Sequence, residues 1–296
     1  MKRKDQKKFT IIIPSKIYDD NLNFCIKKIR KFYKFIKIIL ILDKKNCLIK
    51  DKNIQVIVSG SKTIGYKRNL AVKKVKTDFV TLIDSDAYPL HKWLNPVLES
   101  FKKHDDIHVV GGPNISPSTK NIEKKLVSRV RKLSFVTLDT RFKEKNKTVK
   151  VIKFFPACNL TIKRKTYNKV GGMITSVNSK EEFSLMKKLN KANFKMLFNS
   201  NTYIFHKDRD FKHFFRQRIV YGSNIIYCNI KFFCKETLMI LLSTLPFLWV
   251  LSFPITIFNP LFVKVYFIGL IILLSICFIS AIKINFSNNL LKSFYL

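Results

Sequence analysis

Short apolar runs alternate with amphipathic stretches along the first two thirds of the chain. FTIIIP (9–14), IKIILIL (36–42), IQVIVSG (54–60), FVTLID (79–84) and IHVVGG (107–112) read as strands, with FVTLID a buried one. Residues 20–34 place Leu22, Cys25, Ile26, Ile29 and Phe32 at helical spacing. A second helix covers 63–76, starting near Ser61 or Thr63, and a third runs from about His91 to His104. Strand, helix, strand with short links predicts an α/β fold with a mostly parallel sheet and flanking helices. Ligands of such sheets bind beyond the carboxyl ends of the strands. The residues there are Ser15 and Lys16, Asp43, Ser59 to Ser61, Asp84 to Asp86, and Gly111 to Asn114.

The pattern changes after Glu236, the last acid in the chain. No charge occurs between Glu236 and Lys264, and a second uncharged run lies between Lys264 and Lys283. Each approaches or exceeds the ~20 residues that cross a hydrocarbon core. A transmembrane helical hairpin is expected, at about 237–258 and 265–282, turning at Asn259 and Pro260. Lysines and arginines before Thr237, with Lys283 and Lys292 after the second run, place both ends in the cytoplasm. Pro246 and Pro254 also suit a re-entrant segment or a buried core helix. The expected organisation is a front domain over 1–206, a basic and aromatic interfacial segment over 207–235, and the hairpin with a short cytoplasmic tail over 236–296. The protein is expected to be integral to the cell membrane with its front domain cytoplasmic. The apolar run before Pro14 is too short for a signal peptide.

Composition sharpens this picture. The 296 residues include 56 Lys and Arg against 19 Asp and Glu, a net charge of +37. With 47% hydrophobic residues, wholesale disorder is excluded. So basic a surface attracts anions, whether nucleic acid, anionic lipid headgroups or phosphorylated substrates. No zinc spacing, helix-turn-helix or RNA-binding aromatic motif is present, so a nucleic acid partner is not expected. Six cysteines without a C-x-x-C pair suit a reduced compartment and no metal cluster.

The sharpest chemical signal is Asp84-Ser85-Asp86 at the end of a buried strand. Two carboxylates so placed make a hard-oxygen site for Mg²⁺ or Mn²⁺, completed by phosphate oxygens and water. An acidic turn after a strand would read the same. Lys67 and Arg68, on the preceding helix, are placed to meet phosphates, although a basic helix face is also ordinary solvated surface. Asp43 ends the second strand, where an acceptor would read a base or ribose. Glu181 and Glu182 open a helix that runs to about Asn193, where acids also simply suit the helix dipole. His206 closes the strand-like NTYIFH.

In order and spacing these segments resemble glycosyltransferase family 2, whose fold is the GT-A type. The likeness covers about residues 8–224, through FTIIIPSK, the strand ending in Asp43, GYKRN, LIDSDAYP, GGPN, FPACNLTIKRKTYNKVGGM, EEFSLMKKLNKANFKML and NTYIFHKDRDFKHFFRQRIVYG. The resemblance implies a nucleotide-sugar-binding sheet and a metal-dependent, inverting transfer from a nucleoside diphosphate sugar. It assigns Asp43, Arg68, Asp84, Ser15 and Lys16 to the donor side. Asp86, Asp84 and His206 fall to the Mg²⁺ or Mn²⁺, with Asp86 the more direct ligand. Glu182 becomes the catalytic base and Glu181 its neighbour in the acid pair. The chain departs from the family's Glu-Asp-x-Asp-Leu, having Glu181-Glu182-Phe183-Ser184-Leu185 instead. With the hydrophobic tail, a lipid-linked or glycan acceptor and an anionic membrane surface are the further partners expected. The alternative is a catalytically degenerate, membrane-attached basic binding or scaffold protein.

Overall fold

The structure, a computed structural model, describes residues 1–46, 49–131, 149–177, 179, 181–224, 248–256 and 258–293. The chain divides into two compact units, Met1–Cys228 and Asn229–Leu296.

In chain order the strands are β1 (Phe9–Pro14), β2 (Lys37–Leu42), β3 (Ile54–Val58), β4 (Phe79–Ile83), β5 (Ala87–Tyr88), β6 (Ile107–Gly111), β7 (Asn114–Ile115), β8 (Val149–Val151), β9 (Asn159–Lys163), β10 (Lys195–Asn199) and β11 (Ile204–His206). The helices of the first unit are α1 (Arg3–Gln6), α2 (Asp20–Phe32), α3 (Ile64–Val72), α4 (Leu94–Lys103), α5 (Ile122–Arg131), α6 (Arg164–Lys169), α7 (Glu181–Lys191) and α8 (Phe211–Asn224). The large sheet has the order β3-β2-β1-β4-β9-β6-β10-β8. Its strands run one way except β9, antiparallel to β4 and β6, and β8, antiparallel to β10. The expected mostly parallel α/β sheet is therefore observed.

Alternation along each strand builds two cores. Ile11, Ile13, Ile38 and Leu40 pack on one face with Leu22, Cys25 and Ile29 of α2 and Leu94 and Val97 of α4. Ile12, Ile39 and Ile41 face the other side, against Ala71 and Val72 of α3 and Leu185 and Leu189 of α7. Caps fix where the helices begin. Asp19 accepts from the Leu22 amide at the start of α2, and Thr63 accepts from the Tyr66 amide at the start of α3.

The small sheet, β5-β11-β7, matters for the site. Antiparallel pairing sets His206 opposite Ala87, and the Lys207 amide donates to the Asp86 carbonyl at 3.1 Å. A strand late in the chain is thereby bound to the segment just after Asp86.

In the second unit, α9 (Phe253–Thr256) packs on α10 (Pro260–Ser293). Trp249 stacks on Tyr266 with centroids 5.9 Å apart. A Cβ at Gly269 would lie 2.5 Å from the Trp249 ring, so this close approach requires glycine. Among the described residues no helix is long and apolar enough to cross a membrane, so the expected hairpin finds no support there. Residues 237–247 of its first run lie outside the described residues, as do 225–235 of the interfacial segment. Side chains of α10 are described only as far as Ile279, so the run 265–282 falls only partly within them.

Candidate active site

The carboxyl ends of β1, β2 and β4 deliver Ser15, Asp43 and Asp84 to one edge of the sheet, and α3 lies across them. Its start is held close by Gly65, where a Cβ would sit 2.1 Å from the Ile174 carbonyl oxygen. Successive helical residues diverge by about 100°, and Lys67 and Arg68 accordingly serve two different groups of partners.

Lys67 turns toward β1 and β2. Its ammonium forms an ion pair with Asp43 and donates to the Ser15 carbonyl at 2.8 Å. Asp43 is further fixed by its own amide, which donates to the Lys16 carbonyl at 2.8 Å. Lys16 itself is exposed.

Arg68 turns toward β4. Its Nη2 lies 2.8 Å from Asp84 Oδ1 and its Nη1 lies 2.5 Å from Glu181 Oε1. The Arg68 side chain is 3% exposed and that of Glu181 is 5%, so this pair is interior, whereas Asp84 is 33% exposed. Burial opposes charge on Arg68, but Glu181 and Asp84 outweigh it and raise the guanidinium above its ordinary range. Arg68 thus ties the tip of β4 to the first turn of α7.

The opposite side of Asp84 faces His206. His206 Nε2 is 3.7 Å from Asp84 Oδ2 and 3.3 Å from Asp86 Oδ1. Burial works against ionisation of both acids. His206, with Arg68 for Asp84, nevertheless holds both carboxyls below the ordinary carboxylate range. Cys158 completes the group: one donor atom each from Asp84, Cys158 and His206 lies within 4.8 Å of the other two. Its place follows from the register of β9 on β4. Asn159 pairs with Ile83, so the residue before Asn159 lies beside the residue after Ile83.

Carboxylate, imidazole and thiol donors converging at such distances fit a divalent cation. Asp84, Asp86 and His206 suit Mg²⁺ or Mn²⁺, the imidazole favouring Mn²⁺ of the two. Glu182, beside Glu181, is half-buried and acts electrostatically on both Arg68 and Tyr221. Sequence reasoning had brought Asp84, Asp86, Arg68 and His206 together. It missed Lys67 as the partner of Asp43, and gave Cys158, within the segment FPACNL that it singled out, no ligand role. The one signal for Lys67 was its helical step from Arg68; the place of Cys158 beside Asp84 follows only from the antiparallel register of β9.

A mostly parallel sheet with acids and a histidine gathered past the tip of its fourth strand defines the GT-A class of nucleotide-sugar-binding folds. The family model for glycosyl transferase family 2 matches residues 10–171, more than half of the chain, and the chain belongs to that family. Two solved structures share the fold. One is GalNAc-T7 with UDP, GalNAc and Mn²⁺, at 14% identity and a TM-score of 0.52, covering 69% of this chain and 44% of that one. The other is the mannosyltransferase PcManGT from Pyrobaculum calidifontis in complex with GDP-Man and Mn²⁺, at 10% identity and a TM-score of 0.54, covering 75% and 62%. This chain therefore spans less than two thirds of the length of either. No curated protein matches it.

Proposed function

We propose that the protein is an inverting, metal-dependent glycosyltransferase of hexosyltransferase type. It moves a sugar from a nucleoside diphosphate sugar to a hydroxyl, or a phosphate, of a lipid-linked or glycan acceptor at the cytoplasmic membrane face. The observation that carries this reading is the convergence of Asp84, Asp86 and His206 at the strand tips, backed by the buried Arg68–Glu181 pair. Donor complexes with Mn²⁺ in two proteins of the same fold support it.

Asp43, held by Lys67, offers a carboxylate to the base or ribose. Ser15 and Lys16 border the same edge. Asp84, Asp86 and His206 would hold Mg²⁺ or Mn²⁺, which when bound supplies positive charge beside the departing diphosphate. Arg68 fixes Asp84 from behind and acts as a positioning residue. Glu181 is committed to Arg68, which leaves Glu182 to take the proton from the acceptor hydroxyl as general base. The acceptor oxygen then attacks the anomeric carbon as the bond to the diphosphate breaks, inverting its configuration. A binding protein without transferase activity is the second reading, favoured by Glu182 and Ser184 standing where the family has aspartates.

Membrane attachment is supported by two exposed apolar stripes at four-residue intervals. They are Ile122, Leu126 and Val130 on α5, and Phe211, Phe215 and Ile219 on α8, with Lys125, Lys212 and Arg216 exposed among them. Such faces suit an anionic bilayer surface, with apolar groups in the headgroup region and cations on phosphates. The exposed Ile, Leu and Phe side chains of α10 suit the same partner.

A thermal-shift screen of nucleoside diphosphates and their sugars, with and without Mn²⁺, tests the reading. A ligand at 100 times its Kd adds about 2.7 kcal/mol of apparent stability. Stabilisation by one diphosphate, dependent on Mn²⁺ and lost in Asp86→Ala, is expected. No stabilisation by any of them refutes the proposal, and binding without sugar transfer selects the second reading.

A further inference from the structure

Cys158 stands in the candidate metal site without a role in the chemistry above. We propose that its thiol is a direct protein ligand of the bound cation, and that this soft donor turns the site's preference from Mg²⁺ toward thiophilic divalent ions such as Zn²⁺ and Co²⁺. The inference rests on the metal-site reading of the preceding section and goes beyond it in naming the ligand and the selectivity.

Three observations carry it. The sulfur lies within 4.8 Å of ligand atoms of both Asp84 and His206, so one ion can touch all three. The antiparallel register of β9 on β4 fixes that placement in the backbone, because Ile83 pairs with Asn159 and brings the next residues together. One Asp84 oxygen is occupied by Arg68 at 2.8 Å, so that carboxylate has its other oxygen to give. Thiolate is a soft ligand, whereas carboxylate and water suit Mg²⁺ and Mn²⁺, and affinity at mixed N, O and S sites rises from Mn²⁺ through Co²⁺. On binding, the S–H bond breaks, the sulfur donates its pair to the cation, and the proton passes to buffer.

Cys25 is the other cysteine near the site, its sulfur 4.0 Å from the Asp84 carbonyl oxygen. It is 1% exposed, and burial, then Asp86 and Asp84, push its thiol well above the ordinary range. Its sulfur is not among the donor atoms that converge with those of Asp84 and His206.

The test uses tag-free, full-length protein stripped with a chelator and titrated with Co²⁺, alone and with uridine or guanosine diphosphate. Wild type should develop a near-ultraviolet sulfur-to-cobalt charge-transfer band beside the visible d–d bands. Cys158→Ser should keep the d–d bands, lose the sulfur band, and bind Zn²⁺ about 10- to 100-fold more weakly, with Mg²⁺ affinity unchanged. In wild type, saturating Zn²⁺ should slow alkylation of Cys158 by iodoacetamide, read by peptide mass spectrometry, and Mg²⁺ should not. Identical cobalt spectra in the two proteins, or alkylation indifferent to Zn²⁺, would overturn the proposal while leaving the nucleotide-sugar reading in place. Failure to bind Co²⁺ under any of these conditions removes both.

Discussion

Replacing Arg68 with methionine probes the joint on which the site is built. The guanidinium bridges Glu181 at 2.5 Å and Asp84 at 2.8 Å while only 3% exposed. Methionine fills much of the volume but leaves the Glu181 carboxylate, itself 5% exposed, without its cation. Breaking a buried pair from one side costs about 3–5 kcal/mol, most of it the uncompensated charge left behind. The Asp84 arm adds little, about 1 kcal/mol or less, because that acid is a third exposed and water screens it. At roughly 2–4 °C per kcal/mol for a domain of this size, the first unit should melt about 6–20 °C lower. Glu181→Gln removes the charge that needed compensation. The double variant should therefore be less destabilised than the sum of the singles by more than about 1 kcal/mol. The assay is scanning calorimetry on the four proteins of the cycle, with Mn²⁺ titration of each folded variant. Loss of the Asp84 anchor should weaken Mn²⁺ binding about 10- to 100-fold even where the fold survives. Single variants that melt with wild type, or strictly additive effects, would show that the bridge neither stabilises the unit nor positions Asp84.

Three further predictions address chemistry, pH and the membrane. Glu182→Gln should preserve nucleotide binding in the thermal-shift screen while lowering transfer by about 10²- to 10⁴-fold; unchanged turnover in a single-time-point radiolabel assay would place the base elsewhere. Burial holds His91 and His108 below the ordinary imidazole value of 6.5, with Lys163 adding to the effect at His108. The unfolded chain then binds more protons than the folded one just below pH 6.5, so these residues contribute stability above that pH and lose it as pH falls. Urea melts from pH 7.5 to 5 should show this decline, and a His91→Asn, His108→Asn variant with the same pH slope would refute it. Phe215→Asp should reduce co-sedimentation with phosphatidylserine vesicles, and added salt should reduce it for wild type; equal binding to neutral and anionic vesicles at all salt levels would remove the headgroup interaction.

Much of the fold was legible because the signals were local. The runs that became β1, β2, β4 and β6 are apolar at almost every position, as strands covered on both faces must be, and of the two candidate starts of α3, Ser61 and Thr63, it is Thr63 that caps the helix. What escaped were elements whose identity depends on distant partners. The NLTIK of β9 is hidden by the basic residues that follow, and only its insertion between β4 and β6 makes it a buried strand. β5 and β7 are two residues each, too short to carry a period, and exist because β11 returns to pair with both. β10, which lies just past the expected helix end near Asn193, received no assignment until Met196 and Phe198 were seen facing the core.

The same division governs the site. Acids at strand ends could be found by position, because a parallel sheet sends its carboxyl ends to one edge whatever the sequence between them. Their partners could not. Arg68 and Glu181 are 113 residues apart, and nothing near Arg68 distinguishes a guanidinium bound to an interior carboxylate from one on a solvated helix face. The sequence reading gave Lys67 and Arg68 one shared task at the phosphates. Helix geometry separates neighbours by about 100°, and with one acid at the tip of β2 and another at the tip of β4, each cation goes to its own. Charge balance then orders the acid pair. The glutamate nearer the interior requires the buried arginine, since neither charge is tolerable there alone. The next residue along the helix, Glu182, is half-buried, still feels the charge of Arg68, and is the acid proposed above to exchange a proton with an incoming hydroxyl.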